Sequence, residues 1–181
     1  NPFWRTYGVS AQINALKPDI FHGLSHEIPF GIDDNVVKVV TFHDLIYEKY
    51  PEQFNWLDLK LYKWKYRMSA IRADHIIAIS KSTKTDLTAL YNIPPEKISV
   101  VYQSCNEVFQ RDDVPDFPSE SVLKKLSPYY LCVGSIIERK GLLQTVIAYA
   151  GLPQAYRKPC IVIGSGDKDY IKKVKDLIKY Y

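Results

Sequence analysis

The sequence predicts an α/β protein with mostly parallel sheets, divided into two parts. Three observations carry this expectation. Short apolar runs alternate with longer helical segments in the order helix, strand, strand, helix, strand, helix, strand. Two further strands, Tyr129 to Val133 and Cys160 to Ile163, each run into a glycine and then a helix. Between the two groups, Asp112, Asp113, Pro115, Asp116, Pro118 and Ser119 break every periodicity, which marks a domain boundary.

Taken in order, residues 2–16 read as a helix with Trp4, Tyr7, Ile13 and Leu16 as apolar points, ended by Lys17-Pro18-Asp19. Ile20 to His22 is a short strand, and the loop from Gly23 to Gly31 is kept irregular by its glycines and Pro29. Val36 to Phe42 is the strongest strand of the first part, with His43 and Asp44 at its end. A long helix rich in aromatics and cations spans Phe54 to Arg72, and Ala73-Asp74 turns into the strand His75 to Ile79. Ser80 is a candidate cap for the next helix, with Thr83 on its first turn, and Ile98 to Tyr102 closes the group.

In the second part, Tyr129 to Val133 has the composition of a buried strand, and Gly134 to Glu138 is a short turn. A helix beginning at about Lys140 would point free backbone N–H groups and its positive dipole end into the crevice at the strand's carboxyl end, where anions bind. Arg139 and Lys140 add two charges at that mouth, although such a pair serves equally as a solvated turn. The second glycine cluster, Gly164-Ser165-Gly166-Asp167, lacks the third glycine of a dinucleotide fingerprint and precedes a Lys-rich helix to about Tyr180. Two strands leave open edges and too little core, so this part reads as truncated.

Composition narrows the function classes. The chain has 181 residues, 46% of them hydrophobic, enough for one domain or two small ones. The net charge of +4 is modest and its Lys and Arg are interspersed with acids, which argues against nucleic acid as a partner. Anionic ligands and an anionic membrane surface both remain compatible with it. Cys105, Cys132 and Cys160 are odd in number and suit a reducing compartment, with thiols used as small apolar residues. No apolar run approaches about 18 residues.

Three other patterns admit a chemical reading. Asp167-Lys168-Asp169 spells a D-x-D that could hold a divalent ion, but Asp167 is better placed as a helix cap. His22, His26, His43 and Asp44 contain the residue types of a zinc site, against which the surrounding glycine and proline argue. No metal and no cofactor are expected. Lys60, Lys63, Lys65 and Arg67 among Trp56, Tyr62, Trp64 and Tyr66 could rest on a membrane, whereas an amphipathic helix with inward aromatics is the simpler expectation.

Six stretches carry a family resemblance: DIFHGLSHEIP at 19–29, VVTFHDLIYEKYPE at 39–52, ADHIIAISKSTKTDL at 73–87, ISVVYQSCNEVF at 98–109, YYLCVGSIIERKG at 129–141 and IVIGSGD at 161–167. In order and spacing they resemble family 4 (group 1) retaining glycosyltransferases, which have two facing Rossmann-like domains, the GT-B fold. The resemblance implies an N-terminal acceptor-side domain over 1–110, a linker over 111–128 and the first part of a nucleotide-sugar domain over 129–181. His43 matches the family's active-site histidine, close to the transferred sugar. Lys140 matches the diphosphate-binding lysine, with Arg139 beside it. Many members carry an arginine after the glycine matching Gly134; here Ser135 stands there, so the adjacent Arg-Lys pair is expected to bind the diphosphate. Gly164 and Gly166 match the loop that approaches the nucleotide, and His22, Ser25 and His26 match the acceptor-side loop.

The implied activity is sugar transfer with retention from a nucleotide-diphosphate donor to a glycan or lipid-linked acceptor, in cell-surface polysaccharide synthesis. The implied location is cytoplasmic, with peripheral association with the inner membrane face. The family's paired glutamates would follow Tyr181 and its glycine-rich loop would precede Asn1. The resemblance therefore describes an internal fragment, inactive alone, of an active enzyme. The rival class is a non-catalytic nucleotide-sugar or carbohydrate-binding module of the same fold, and the third is a metal-dependent hydrolase.

Overall fold

The computed structural model describes residues 4–110 and 122–181, and the chain divides into two compact units, Asn1–Gln110 and Arg111–Tyr181. In the first unit a π-helical turn, Trp4–Gly8, runs into α1 (Val9–Leu16), followed by β1 (Ile20–Gly23) and β2 (Val37–Phe42). Then come α2 (Ile46–Lys49), a 3-10 turn Pro51–Gln53, α3 (Trp56–Arg72), β3 (His75–Ala78), α4 (Lys81–Tyr91), a 3-10 turn Pro95–Lys97 and β4 (Ile98–Val100). The strands form one parallel sheet in the order β1-β2-β3-β4.

That order decides where the core lies. Right-handed crossovers that always step in the same direction place their helices on one face of the sheet. The buried strand residues accordingly alternate: Val40, Phe42, Ile76, Ala78 and Ile98 all join the core with Leu87 and Tyr91 of α4 and Ala70 of α3. On the opposite face Ile20 and Val37 are exposed. Of the apolar points expected in the first helical segment only Ile13 is buried; Trp4, Tyr7 and Leu16 face solvent. The aromatics of α3 are likewise not all inward. Trp56 is 63% and Trp64 46% exposed, while Ser69 and Ala70 at the far end of the helix are buried.

The second unit contains α5 (Val122–Leu126), β5 (Tyr130–Val133), a 3-10 turn Glu138–Lys140, α6 (Leu142–Ala150), a 3-10 turn Gln154–Tyr156, β6 (Cys160–Ile163) and α7 (Lys168–Tyr180). Helix α5 occupies part of the expected linker, whose residues 111–121 lie outside the described ones. Strands β5 and β6 pair in parallel as a two-stranded sheet. With so few strands they cannot be buried as the sequence suggested: Val133 is 72% and Ile163 50% exposed. The small core here is Leu142, Tyr170 and Val174, where α6 packs on α7. Helix α6 also starts two residues later than expected. Gly141 adopts a left-handed conformation (φ 69°), which ends the 3-10 turn and re-aims the chain, so Lys140 precedes the helix instead of opening it.

Candidate functional site

In the first unit the polar residues gather where the four strands end. The loop after β1 carries Leu24, Ser25 and His26, β2 ends at His43 and Asp44, β3 runs into the N-terminus of α4, and Gln103 follows β4. The β1 loop is clamped onto α3. Ser69 accepts a hydrogen bond from the Ile28 N–H (2.9 Å), the Arg72 guanidinium donates to the carbonyls of Ile28 and Pro29, and Glu27 pairs with Arg5 and Lys65. This holds His26 within 5.5 Å of His43, measured between ring centroids.

His26 is half-buried among Phe42, Tyr47 and Tyr66. Burial pulls its pKa below the ordinary histidine value, and the neighbouring His43 adds to the shift while Asp44 opposes it. As a neutral ring it can use its Nε2 in one of two ways. Nε2 accepts the His43 backbone N–H at 3.2 Å, or it carries the proton and donates to the Asp44 carbonyl at 3.2 Å. Ser25 lies 3.4 Å from Nδ1 on the other side. Beneath the ring, burial pushes the Tyr66 hydroxyl up to about 12 and raises Tyr47 and Tyr91 as well, so these phenols stay protonated.

His43 is held from several sides. Its Nε2 stands 3.0 Å from the Leu24 carbonyl, its Nδ1 3.4 Å from the Gln103 side-chain nitrogen, and its backbone carbonyl accepts from Thr83 Oγ1 at 3.1 Å. Ser80 caps α4 by accepting the Thr83 N–H at 3.0 Å, which sets the Thr83 hydroxyl in place. His22 is not part of this group: it is exposed on β1 and pairs with Thr41 of β2 at 2.9 Å. The structure thus gathers Ser25, His26 and His43, leaves His22 aside, and adds Thr83, read from the sequence only as a first-turn residue of its helix, and Gln103, which the sequence did not single out. Their positions just past β3 and β4 were the available signal. Among the described residues no group of three or more His, Cys, Asp or Glu is placed to hold a metal ion.

In the second unit the turns after β5 and β6 run side by side. Gly134 N–H donates to Ile163 (3.0 Å), Ile136 N–H to Ser165 (2.9 Å) and Asp167 N–H to Ile136 (3.1 Å). The approach is close enough to require both glycines of the second turn. A Cβ at Gly164 would lie 1.8 Å from the Gly134 carbonyl oxygen, and one at Gly166 2.1 Å from that of Ile136. Their presence is therefore explained by the neighbouring turn. Asp167 caps α7, its carboxylate accepting the Tyr170 N–H at 2.7 Å, which leaves the D-x-D reading without support.

Gly134, Ser135, Ile136, Lys140, Leu142 and Thr145 line a cavity of about 130 Å³ between the turn after β5 and the start of α6, and Gly164 and Gly166 do not line it. Arg139 does not line it and is exposed. One amide of the first turn of α6 is already engaged, because Leu143 N–H donates to the buried Tyr170 hydroxyl at 3.2 Å. On the strand side, burial raises the Cys160 thiol pKa, with Cys132 reinforcing the shift, so Cys160 is no ready nucleophile.

The family model described as Glycosyltransferase Family 4 matches residues 1–106, more than half of the chain. The chain belongs to glycosyltransferase family 4. Two curated relatives extend that likeness beyond the first unit. An O-antigen chain mannosyltransferase of Salmonella typhimurium is 25% identical over 141 residues, covering 78% of this chain and 36% of the relative. O-antigen chain mannosyltransferase B of Escherichia coli is 26% identical over 156 residues, covering 83% of this chain and 39% of the relative. The family 4 chain thus spans under two fifths of the length of either relative. A crystal structure of a glycosyltransferase from Rickettsia africae matches 95% of the chain and 46% of its own at a TM-score of 0.60, with 19% identity. The parallel α/β units and this likeness identify the fold as Rossmann-like, of the GT-B class.

Proposed function

We propose that the protein is a retaining glycosyltransferase that moves a hexosyl group from a nucleotide-diphosphate donor to a glycan or lipid-linked acceptor in cell-surface polysaccharide synthesis. In this reading the first unit is the acceptor side and the second unit binds the donor. The observation that carries it is the cavity where Gly134, Ser135 and Lys140 meet in front of α6, in a chain of family 4. Departure of a sugar leaves growing negative charge on the diphosphate. A fixed ammonium and oriented backbone amides stabilise that charge most where water is excluded. Lys140 supplies the direct contact, and Arg139, outside the cavity, adds a long-range field. His43, held rigidly in the first unit, stands on the sugar side. No side chain is assigned as nucleophile; in the family's retaining chemistry the donor phosphate takes the acceptor's proton as the new bond forms on the same face. We place the protein in the cytoplasm, resting on the inner membrane surface, a placement favoured by exposed Trp56 and Trp64 beside Lys60.

The decisive experiment presents nucleotide-sugar donors, with lipid-linked glycan acceptors, to the complete protein and follows transfer. Donor binding without turnover would establish the non-catalytic module instead. Titration of the released nucleoside diphosphate tests the site itself. A charge-assisted hydrogen bond contributes about 1.5–3 kcal/mol, so Lys140→Ala weakens binding roughly 10- to 150-fold. Equal affinities would remove Lys140 from the site.

A further inference from the structure

The His43 ring has two nitrogens, and the protein engages both. Nε2 lies 3.0 Å from the Leu24 carbonyl, which can only accept, so Nε2 carries the proton. Nδ1 is then a lone pair, and the group facing it at 3.4 Å is the side-chain nitrogen of Gln103, a donor. The two contacts agree with a single neutral tautomer. Their sources are separate: Leu24 belongs to the loop after β1, and Gln103 to the segment after β4, at the other end of the sheet order. His26 and Thr83 fix the backbone of the same residue, from the β1 loop and from α4. The His26 ring lies 5.5 Å from the His43 ring, centroid to centroid.

We propose that Gln103 is a positioning residue that locks His43 as the Nε2–H tautomer and fixes the ring plane. The Gln103 amide occupies the lone pair that a general base would need. His43 therefore serves the reaction as an oriented, neutral wall of the sugar site and does not accept the acceptor's proton. The catalytic consequence rests on the function proposed above; the tautomer does not.

The test uses the complete protein, with long-range 15N–1H correlation spectra of its histidines and His43 assigned by loss of its signals in His43→Gln. The wild type shows the Nε2–H pattern. In Gln103→Glu both ring nitrogens face acceptors, the new carboxylate and the Leu24 carbonyl, so the ring takes up a second proton and shows the doubly protonated pattern; in Gln103→Met, which cannot donate, the ring is no longer held against the Leu24 carbonyl and the single tautomer gives way to a mixture. An Nδ1–H pattern in the wild type, or an unchanged pattern in both variants, overturns the proposal. Sugar transfer measured in parallel separates the two questions. Gln103→Glu lowers kcat at least tenfold with the donor KM within threefold, whereas a wild type without transfer refutes the proposed function and leaves the tautomer result to stand or fall alone.

Discussion

Gly164→Ala tests whether the paired turns of the second unit are held as tightly as their hydrogen bonds suggest. The added Cβ would start 1.8 Å from the Gly134 carbonyl oxygen, and real contacts of this kind stay above 3.0 Å. The turns must therefore separate by at least 1.2 Å, the difference of those two distances. Both chains are backbone at this point, so no flexible side chain can absorb the strain. The bonds that join the turns, Gly134 to Ile163 at 3.0 Å and Ile136 to Ser165 at 2.9 Å, stretch past useful length. Forced overpacking costs about 1–3 kcal/mol, and two neutral hydrogen bonds at about 0.5–1.5 kcal/mol each give the same range. Urea unfolding of the complete protein reads this as a lower midpoint for the transition that includes the second unit. Gly151→Ala is the control, since a Cβ there meets nothing closer than 3.6 Å and its φ of −79° suits any residue. The separation also displaces Gly134 and Ser135, so, on the proposed donor site, nucleoside diphosphate binding weakens in Gly164→Ala and not in Gly151→Ala. Coincident unfolding curves for Gly164→Ala and wild type would refute the reasoning.

Three further outcomes follow from named contacts. Asp167→Ala removes the cap of α7 and lowers stability by about 0.5–2 kcal/mol, with Asp167→Asn recovering most of it in thermal or urea unfolding. His26 has a lowered folded-state pKa, so the unfolded chain binds the extra proton first and stability falls as pH drops below the ordinary histidine value of about 6.5, levelling off once the pH passes the lowered folded value. Unfolding midpoints at pH 7.5 and pH 5.5 should therefore differ less in His26→Gln than in the wild type, and equal differences would discount the shift. If α3 meets the membrane through its exposed Trp56 and Trp64, the double alanine variant sediments less with vesicles containing anionic lipid than the wild type does, with circular dichroism unchanged.

Local chemistry was legible in the sequence because it is decided within a few residues. Ser80 and Asp167 announce helix starts by type and position, and both side chains make the cap bond. The glycines after β5 and β6 mark turns, and the turns lie together as two parallel strands require. Other features depend on partners far along the chain. Gln103 meets His43 across 60 residues of sequence, a contact no window could reveal. Trp64 reads as core by composition, yet its ring stacks on Phe30 at 5.3 Å while remaining almost half exposed. Helix α2 is a single turn, too short for periodicity to register. The same limit explains the strands. An apolar run such as VKVVTF suggests burial on both faces, but the exposure of one face follows from sheet order: β1 to β4 step one way, their helices follow, and only residues of the other parity, Val40 and Phe42 among them, are enclosed. Which strand residues are enclosed is thus set by where the helices lie as well as by composition, and among the described residues β2 encloses Val40 and Phe42 and leaves Val37 uncovered.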